Sequence, residues 1–116
     1  MKVQREYHYD SAHRLPNVPE GHKCGRLHGH TYVLTVVVEG SVQPNGFVMD
    51  FADLDPSVEA VLDDLDHHYL NEVPGLENPT VEVQLEWMWG ILSATLPLAE
   101  LRLREGLSNE ASFDGN

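Results

Sequence analysis

Apolar and polar residues change their spacing several times along this chain, and each change marks an element. From Lys2 to Asp10 they alternate loosely, with Val3, Arg5, Tyr7 and Tyr9 set against Lys2, Gln4, Glu6 and His8. That period of two predicts a strand over residues 2–10, with Ser11-Ala12-His13-Arg14 as its small-residue exit. Residues 15–27 carry Pro16, Asn17, Pro19, Gly21 and Gly25 and read as a loop. Thr31 to Val38 is then almost entirely β-branched, aromatic or apolar, which predicts a strand from His28 to Glu39, ended by Gly40. Pro44-Asn45-Gly46 marks a turn, and Phe47-Val48-Met49 predicts a short return strand, so that residues 31–49 read as a hairpin.

From Asp50 the period lengthens. Leu54, Val58, Val61, Leu62 and Leu65 recur at helical spacing, with Asp55 as cap and Pro56 in the first turn. This helix is predicted to stop near Asp66-His67-His68-Tyr69-Leu70-Asn71. After a loop at Pro74-Gly75 and Asn78-Pro79, Thr80 caps a second helix carrying Val81, Leu85, Met88 and Leu92, which Leu96-Pro97 ends. Leu98 to Glu105 alternates again as a strand, and a short final strand is expected at Ala111-Ser112-Phe113 unless the polar tail frays. The plan is α+β: an antiparallel sheet with two helices on one face. Val33 and Val37 point to the other face, so oligomerisation through the sheet is expected.

The chain has 116 residues, enough for one domain over residues 1–116. Its formal charge of −12 makes nucleic acid and anionic membranes poor partners. Five of its seven basic residues (Lys2, Arg5, Arg14, Lys23, Arg26) precede His28, and none lies between Leu27 and Leu101. Arg14, Lys23 and Arg26 read either as scattered solubilising charge or, more sharply, as a local anion pocket on an acidic protein, as a phosphorylated substrate needs. One cysteine excludes an internal disulfide framework. No signal peptide and no apolar stretch of membrane-spanning length is read, so a cytoplasmic enzyme is expected.

The chemistry centres on Cys24-Gly25-Arg26-Leu27-His28-Gly29-His30. His28 and His30 are two apart on a strand and share one face. Two ordinary strand histidines are the commoner meaning of His-x-His. Here a nearby cysteine, a spare third histidine and the glycine spacer favour a metal site instead. His13 is the most economical third ligand, with His68 as an alternative. Three neutral imidazoles and an open position make a catalytic Zn²⁺ site. Cys24, beside Lys23 and Arg26, is a candidate nucleophile or base. Asp66 next to His67 is a candidate proton-transfer pair, or simply a histidine at a helix C-terminus.

Several boxes recur together: Ser11-Ala12-His13-Arg14-Leu15, Cys24-x3-His28-Gly29-His30, Asp50-Phe51-x-x-Leu54, Leu65-Asp66-His67-x-x-Leu70-Asn71, Asn78-Pro79-Thr80-x-Glu82 and Glu105. In this order, from about residue 3 to about residue 105, the chain resembles the 6-pyruvoyltetrahydropterin synthase / 6-carboxytetrahydropterin synthase family. The resemblance implies the tunnelling fold, in which trimers close their sheets into a barrel and two trimers commonly make a homohexamer. It implies zinc on His13, His28 and His30. It implies a proton-transfer set of Cys24, Asp66 and His67, assembled across a subunit interface. Glu105 matches the acid that anchors the pterin's guanidine-like edge, and Thr80 lies near the segment holding that ring. The three-residue spacing between Cys24 and His28 is similar to the carboxy branch of queuosine precursor synthesis. That branch turns 7,8-dihydroneopterin triphosphate into 6-carboxy-5,6,7,8-tetrahydropterin, acetaldehyde and triphosphate. Arg14, Lys23 and Arg26 are candidate triphosphate contacts. The pyruvoyl-forming reaction and a non-catalytic zinc- or pterin-binding module are the alternatives. The tail over residues 107–116 matches weakly, and Gly106 stands where members often carry a hydroxyl residue.

Overall fold

The computed structural model describes residues 1–116. Its elements run β1 (Lys2–His13), β2 (His28–Glu39), α1 (Asp55–Asp63), α2 (Val81–Leu92), β3 (Leu98–Glu105) and β4 (Asn109–Phe113). The four strands form one antiparallel sheet in the order β1-β2-β3-β4. Tyr9, Tyr32, Leu34, Val36, Val38, Leu101 and Leu103 line the sheet face that meets Leu54, Val58, Leu65, Leu85, Met88 and Leu92 from the helical side. The two helices thus bury their apolar stripes on one face, as the period change predicts.

Several boundaries differ from the sequence reading. β1 does not end at Asp10 but runs on to His13, because β2 pairs with it through His13↔His28. No return strand forms at Phe47-Val48-Met49, so the expected hairpin over residues 31–49 is absent. Both edges of β2 are already taken, by β1 and by β3. The first helix begins at Asp55, not Asp50, and Asp55 is not its cap. Asp50 instead caps a 3₁₀ turn at Phe51–Asp53, accepting from the Ala52 N–H, while the Asp55 carboxylate accepts from the Tyr7 hydroxyl at 2.6 Å. α2 starts at the predicted cap, with Thr80 Oγ1 accepting from the Val83 N–H at 3.1 Å, and its last helical residue is Leu92.

Val33 and Val37 are not the open apolar patch expected of them. They are 7% and 4% exposed in the single chain. Arg102 on β3 reaches across to Gln4 on β1, Nη2 to Oε1 2.9 Å, and roofs that face. What the sheet leaves open is its rims: the outer edges of β1 and β4 carry no further strand, apart from one bridge between Ala12 and Tyr69. The radius of gyration is 15.2 Å, against about 13.4 Å expected for a compact chain of this length. The excess lies in the long β1–β2 pair, whose far end runs past the end of β3 at Tyr32↔Glu105.

The tail does not fray. Phe113 packs edge-on against Trp89, with ring centroids 5.4 Å apart, and Gly115 lies under the same indole. Trp87 is held likewise at the loop before α2, its indole N–H donating to the Pro74 carbonyl at 3.1 Å. Gly75 in that loop has φ +93°, and an added Cβ would lie 2.9 Å from Trp87 Cδ1. Gly75→Ala is therefore expected to cost on the order of 1–3 kcal/mol, from the left-handed backbone and the displaced ring together. Chemical denaturation checks this; an unchanged midpoint would show that the loop relaxes freely.

Candidate metal centre and active site

The site lies on the two-stranded extension beyond β3. Antiparallel register puts His13 opposite His28 and Ser11 opposite His30. His28 and His30 share the face of Tyr32 and Leu34, which is the core face, so the histidine cluster continues the hydrophobic core outward. The candidate ligand atoms of His13, His28 and His30 all lie within 4.8 Å of one another. His13 is the third member and His68 is not: the His68 Nδ1–H turns back to its own segment and donates to the Asp66 carbonyl at 2.8 Å.

Hydrogen bonds fix the tautomers. His13 Nδ1–H donates to the Pro79 carbonyl at 2.9 Å, and His28 Nδ1–H donates to the Arg26 carbonyl at 2.7 Å. A carbonyl only accepts, so each ring must carry its proton on Nδ1 and leave a lone pair on Nε2. These two Nε2 atoms face each other at 3.0 Å. Two lone pairs at that distance repel unless a cation or a proton sits between them. A proton is disfavoured, because burial pulls the His13 pKa below its usual value, the Pro79 bond opposing only in part. Burial likewise lowers that of His30, with Glu105 opposing. His30 Nε2 is buried with no hydrogen-bond partner, Glu105 Oε1 standing 3.5 Å off. The donor set fits a divalent ion: tetrahedral Zn²⁺ with Zn–N of ~2.0–2.1 Å needs ligand atoms ~3.3 Å apart.

Cys24 sits on a 3₁₀ turn at Lys23–Gly25, half-buried, its backbone N–H donating to His22 Nδ1 at 3.0 Å. A cleft of about 350 Å³ is lined by Lys23, Cys24, His28, His30, Glu105 and Asn109. The structure thus brings the cysteine, two histidines of the triad and the predicted ring-anchoring acid onto one cavity. Asn109 is a polar lining residue that the sequence reading missed. Gly106, just past Glu105, has φ +67° and opens the β3–β4 turn that carries Asn109 round to this cavity.

Other predicted residues are placed elsewhere. His67 opens onto a second cleft, shared with Asp10, Gly29, His30 and Thr31, and neither it nor Asp66 lines the one with Cys24. Arg14 and Arg26 line a third cleft with His22 and Glu20, apart from Lys23. None of these three cations forms an ion pair, although acids outnumber bases 19 to 7. The Thr80 hydroxyl is spent on capping α2; its contribution is to start the helix behind Pro79, whose carbonyl holds His13.

Asp66 and His67 are joined at 3.0 Å, Oδ1 to Nδ1, and the segment is laced to the edge of β1. Asp66 Oδ1 accepts from the Asp10 N–H, the His67 N–H donates to the Asp10 carbonyl, and the Ala12 N–H donates to the His68 carbonyl. His67 has φ +58°, the one non-glycine residue in left-handed backbone, where strain often marks function. The Asp10 N–H, and after it His67, holds the Asp66 carboxyl below its usual value of 3.8. Because the folded value lies below the unfolded one, its stabilising contribution is complete above pH 3.8 and is lost as pH falls through the lower folded value. Asp66→Asn should therefore be less stable than the unmodified chain at neutral pH, with the gap closing in acid. Urea midpoints across pH check it, and a gap that widens in acid would refute it.

Asn71 closes the Leu65-Asp66-His67-x-x-Leu70-Asn71 box. Its side chain mimics a strand partner for Arg14, accepting from the Arg14 N–H at 2.9 Å and donating to the Arg14 carbonyl at 2.7 Å. This ties the 66–71 segment to the chain just past His13.

The family model for 6-pyruvoyl tetrahydropterin synthase matches residues 2–116. The chain is 40% identical to the 6-carboxy-5,6,7,8-tetrahydropterin synthase of Synechocystis sp. over 99 residues, 78% of this chain and 73% of that protein. It is 39% identical to the dihydroneopterin monophosphate aldolase of Pyrococcus furiosus over 102 residues, 84% of this chain and 83% of that one. Among solved structures, Caenorhabditis elegans 6-pyruvoyl tetrahydropterin synthase superposes with a TM-score of 0.91 at 27% identity, covering 100% of this chain and 96% of the other.

Proposed function

Since the chain belongs to the 6-pyruvoyl tetrahydropterin synthase family, we propose that it is a zinc-dependent lyase acting on 7,8-dihydroneopterin triphosphate. Its products are 6-carboxy-5,6,7,8-tetrahydropterin, acetaldehyde and triphosphate, and its place is in queuosine (7-deazapurine) biosynthesis. The observation that carries the reading is the facing pair of lone pairs on His13 and His28, with the orphaned His30 Nε2 beside them, on the wall of the Cys24 cleft. The carboxy synthase among the relatives supports the choice of reaction.

Zinc held by His13, His28 and His30 supplies Lewis-acid polarisation of the substrate's side-chain oxygens and so acidifies the adjoining C–H and O–H bonds. Cys24 takes and returns those protons as thiolate and thiol. Glu105 accepts two parallel N–H donors from the 2-amino-4-oxo edge of the ring, and so fixes which side-chain carbon faces the thiol. Lys23 lies in the same cleft and Arg14 and Arg26 in the next, so the triphosphate runs from one to the other. Asp66 and His67 sit along the outer edge of β1 and do not line the Cys24 cleft, so they act on the Cys24 of a neighbouring subunit. The rims of β4 and of β1 before Asp10, which carry no further strand, support such an assembly, closed edge to edge as a trimer or hexamer. No helix is long and apolar enough to cross a membrane, in keeping with a cytoplasmic enzyme.

The C. elegans structure favours a second reading, the pyruvoyl-forming synthase. Product analysis by mass spectrometry separates the two, with the triphosphate and the monophosphate each offered to the zinc-loaded protein. Acetaldehyde and the 6-carboxy product from the triphosphate are expected. A pyruvoyl product without acetaldehyde would overturn the proposal in favour of the second reading. Turnover of the monophosphate alone would move the chain to the chemistry of the aldolase relative.

A further inference from the structure

Gln84 is the most deeply buried amide in the molecule, 0% exposed in the middle of the apolar stripe of α2. Both ends of its side chain are engaged. Its Nε2–H donates to the Pro79 carbonyl at 3.0 Å, and its Oε1 accepts from the Tyr9 hydroxyl at 2.7 Å. The Pro79 carbonyl is the same one that accepts from His13 Nδ1–H. Tyr9 is 1% exposed and stacks on Tyr32, with ring centroids 4.9 Å apart. The order Tyr9, Gln84, Pro79, His13 is thus a continuous buried chain from the centre of the sheet to the rearmost histidine of the triad. Its direction is forced: a prolyl-site carbonyl can only accept, so the Gln84 amide nitrogen must face it and the amide oxygen must face Tyr9.

We infer that Gln84 and Tyr9 are positioning residues for His13, holding the carbonyl that sets its tautomer and ring orientation. A helix-buried glutamine carries a desolvation cost that an aliphatic residue does not, and here the cost is offset only by these two bonds. Pro79 lies before the first turn of α2 and its carbonyl accepts no backbone N–H there, so side-chain donors, His13 Nδ1–H and Gln84 Nε2–H, set its direction. The outer partners of a metal-bound histidine typically govern affinity by about 10–100-fold. This inference rests on the reading that the triad holds a divalent ion.

Zinc affinity, measured by competition with a chromophoric chelator on the purified full chain, tests it. Gln84→Met keeps the volume and removes both bonds; its zinc dissociation constant is expected to rise about tenfold or more. Tyr9→Phe keeps the bond to Pro79, and its rise is expected to be smaller, below about tenfold. Leu92→Val, on the same helix but off the chain of bonds, lowers stability through packing and leaves zinc affinity where it was. Gln84→Met binding zinc as tightly as the unmodified chain, or no worse than Leu92→Val, would overturn the inference. Should Gln84→Met not fold, Tyr9→Phe decides: an affinity equal to that of the unmodified chain overturns it as well. An unmodified chain that binds no zinc would overturn the metal reading beneath, and this inference with it.

Discussion

Cys24→Ala is expected to abolish product formation while leaving a full complement of zinc. The triad is made of His13, His28 and His30, and the sulfur is not among its candidate ligand atoms. The cysteine instead shares the cleft lined by His28, His30 and Glu105, where a proton on substrate carbon adjoining the ion would be exposed to it. Loss of a positioned acid–base group costs about 10²–10⁴ in rate. Here one group both takes and returns protons, so the upper part of that range applies. Metal content by emission spectrometry, measured on the samples used for kinetics, separates this from a folding defect. Undiminished turnover would move proton transfer off the sulfur. Lost zinc would make Cys24 a ligand.

His13→Ala is expected to be the more damaging change, because it removes a ligand and an anchor together. Two imidazoles then remain, and the Pro79 carbonyl, buried beside Gln84, loses the His13 N–H as a donor. Zinc affinity should fall beyond the ~10–100-fold that loss of an outer partner costs, with activity falling in step. Since His13 is 1% exposed, the vacated volume also lowers stability, although the Pro79 carbonyl keeps the Gln84 N–H as a donor. His68→Ala, by contrast, should leave zinc content unchanged, since the His68 side chain bonds only to the Asp66 carbonyl. If the two variants behave alike, the ligand set is wrong.

Much of this was legible before folding because it depends on short-range periodicity. His-Gly-His on a β-branched run has only one way to present its imidazoles, and β2 runs from His28 to Glu39 as that run predicts. Thr80 before Val81 announced the start of α2 by cap chemistry alone. The failures have an equally local cause. Phe47-Val48-Met49 has strand composition, but a strand needs a free neighbouring edge, and which edges of β2 are free is decided by residues about 60 positions later on β3. Val33 and Val37 look like an interface patch until Arg102 is seen lying over that face. Gln84 carries a sequence signal of its own, a polar residue three after Val81 and one before Leu85 on a stripe otherwise apolar.

The sequence by itself determined the α+β plan, the membership of His28 and His30 in one cluster, and the crowding of cations just before them, since each follows from neighbours in the chain. Tertiary structure alone decided that His13 rather than His68 completes the cluster. It alone placed Cys24 and Glu105 on one cavity with His67 on another, and let a carbonyl 66 residues away fix the proton on His13. Those outcomes depend on strand register and on where α2 lands against the sheet. They are set by long-range packing that no local pattern encodes.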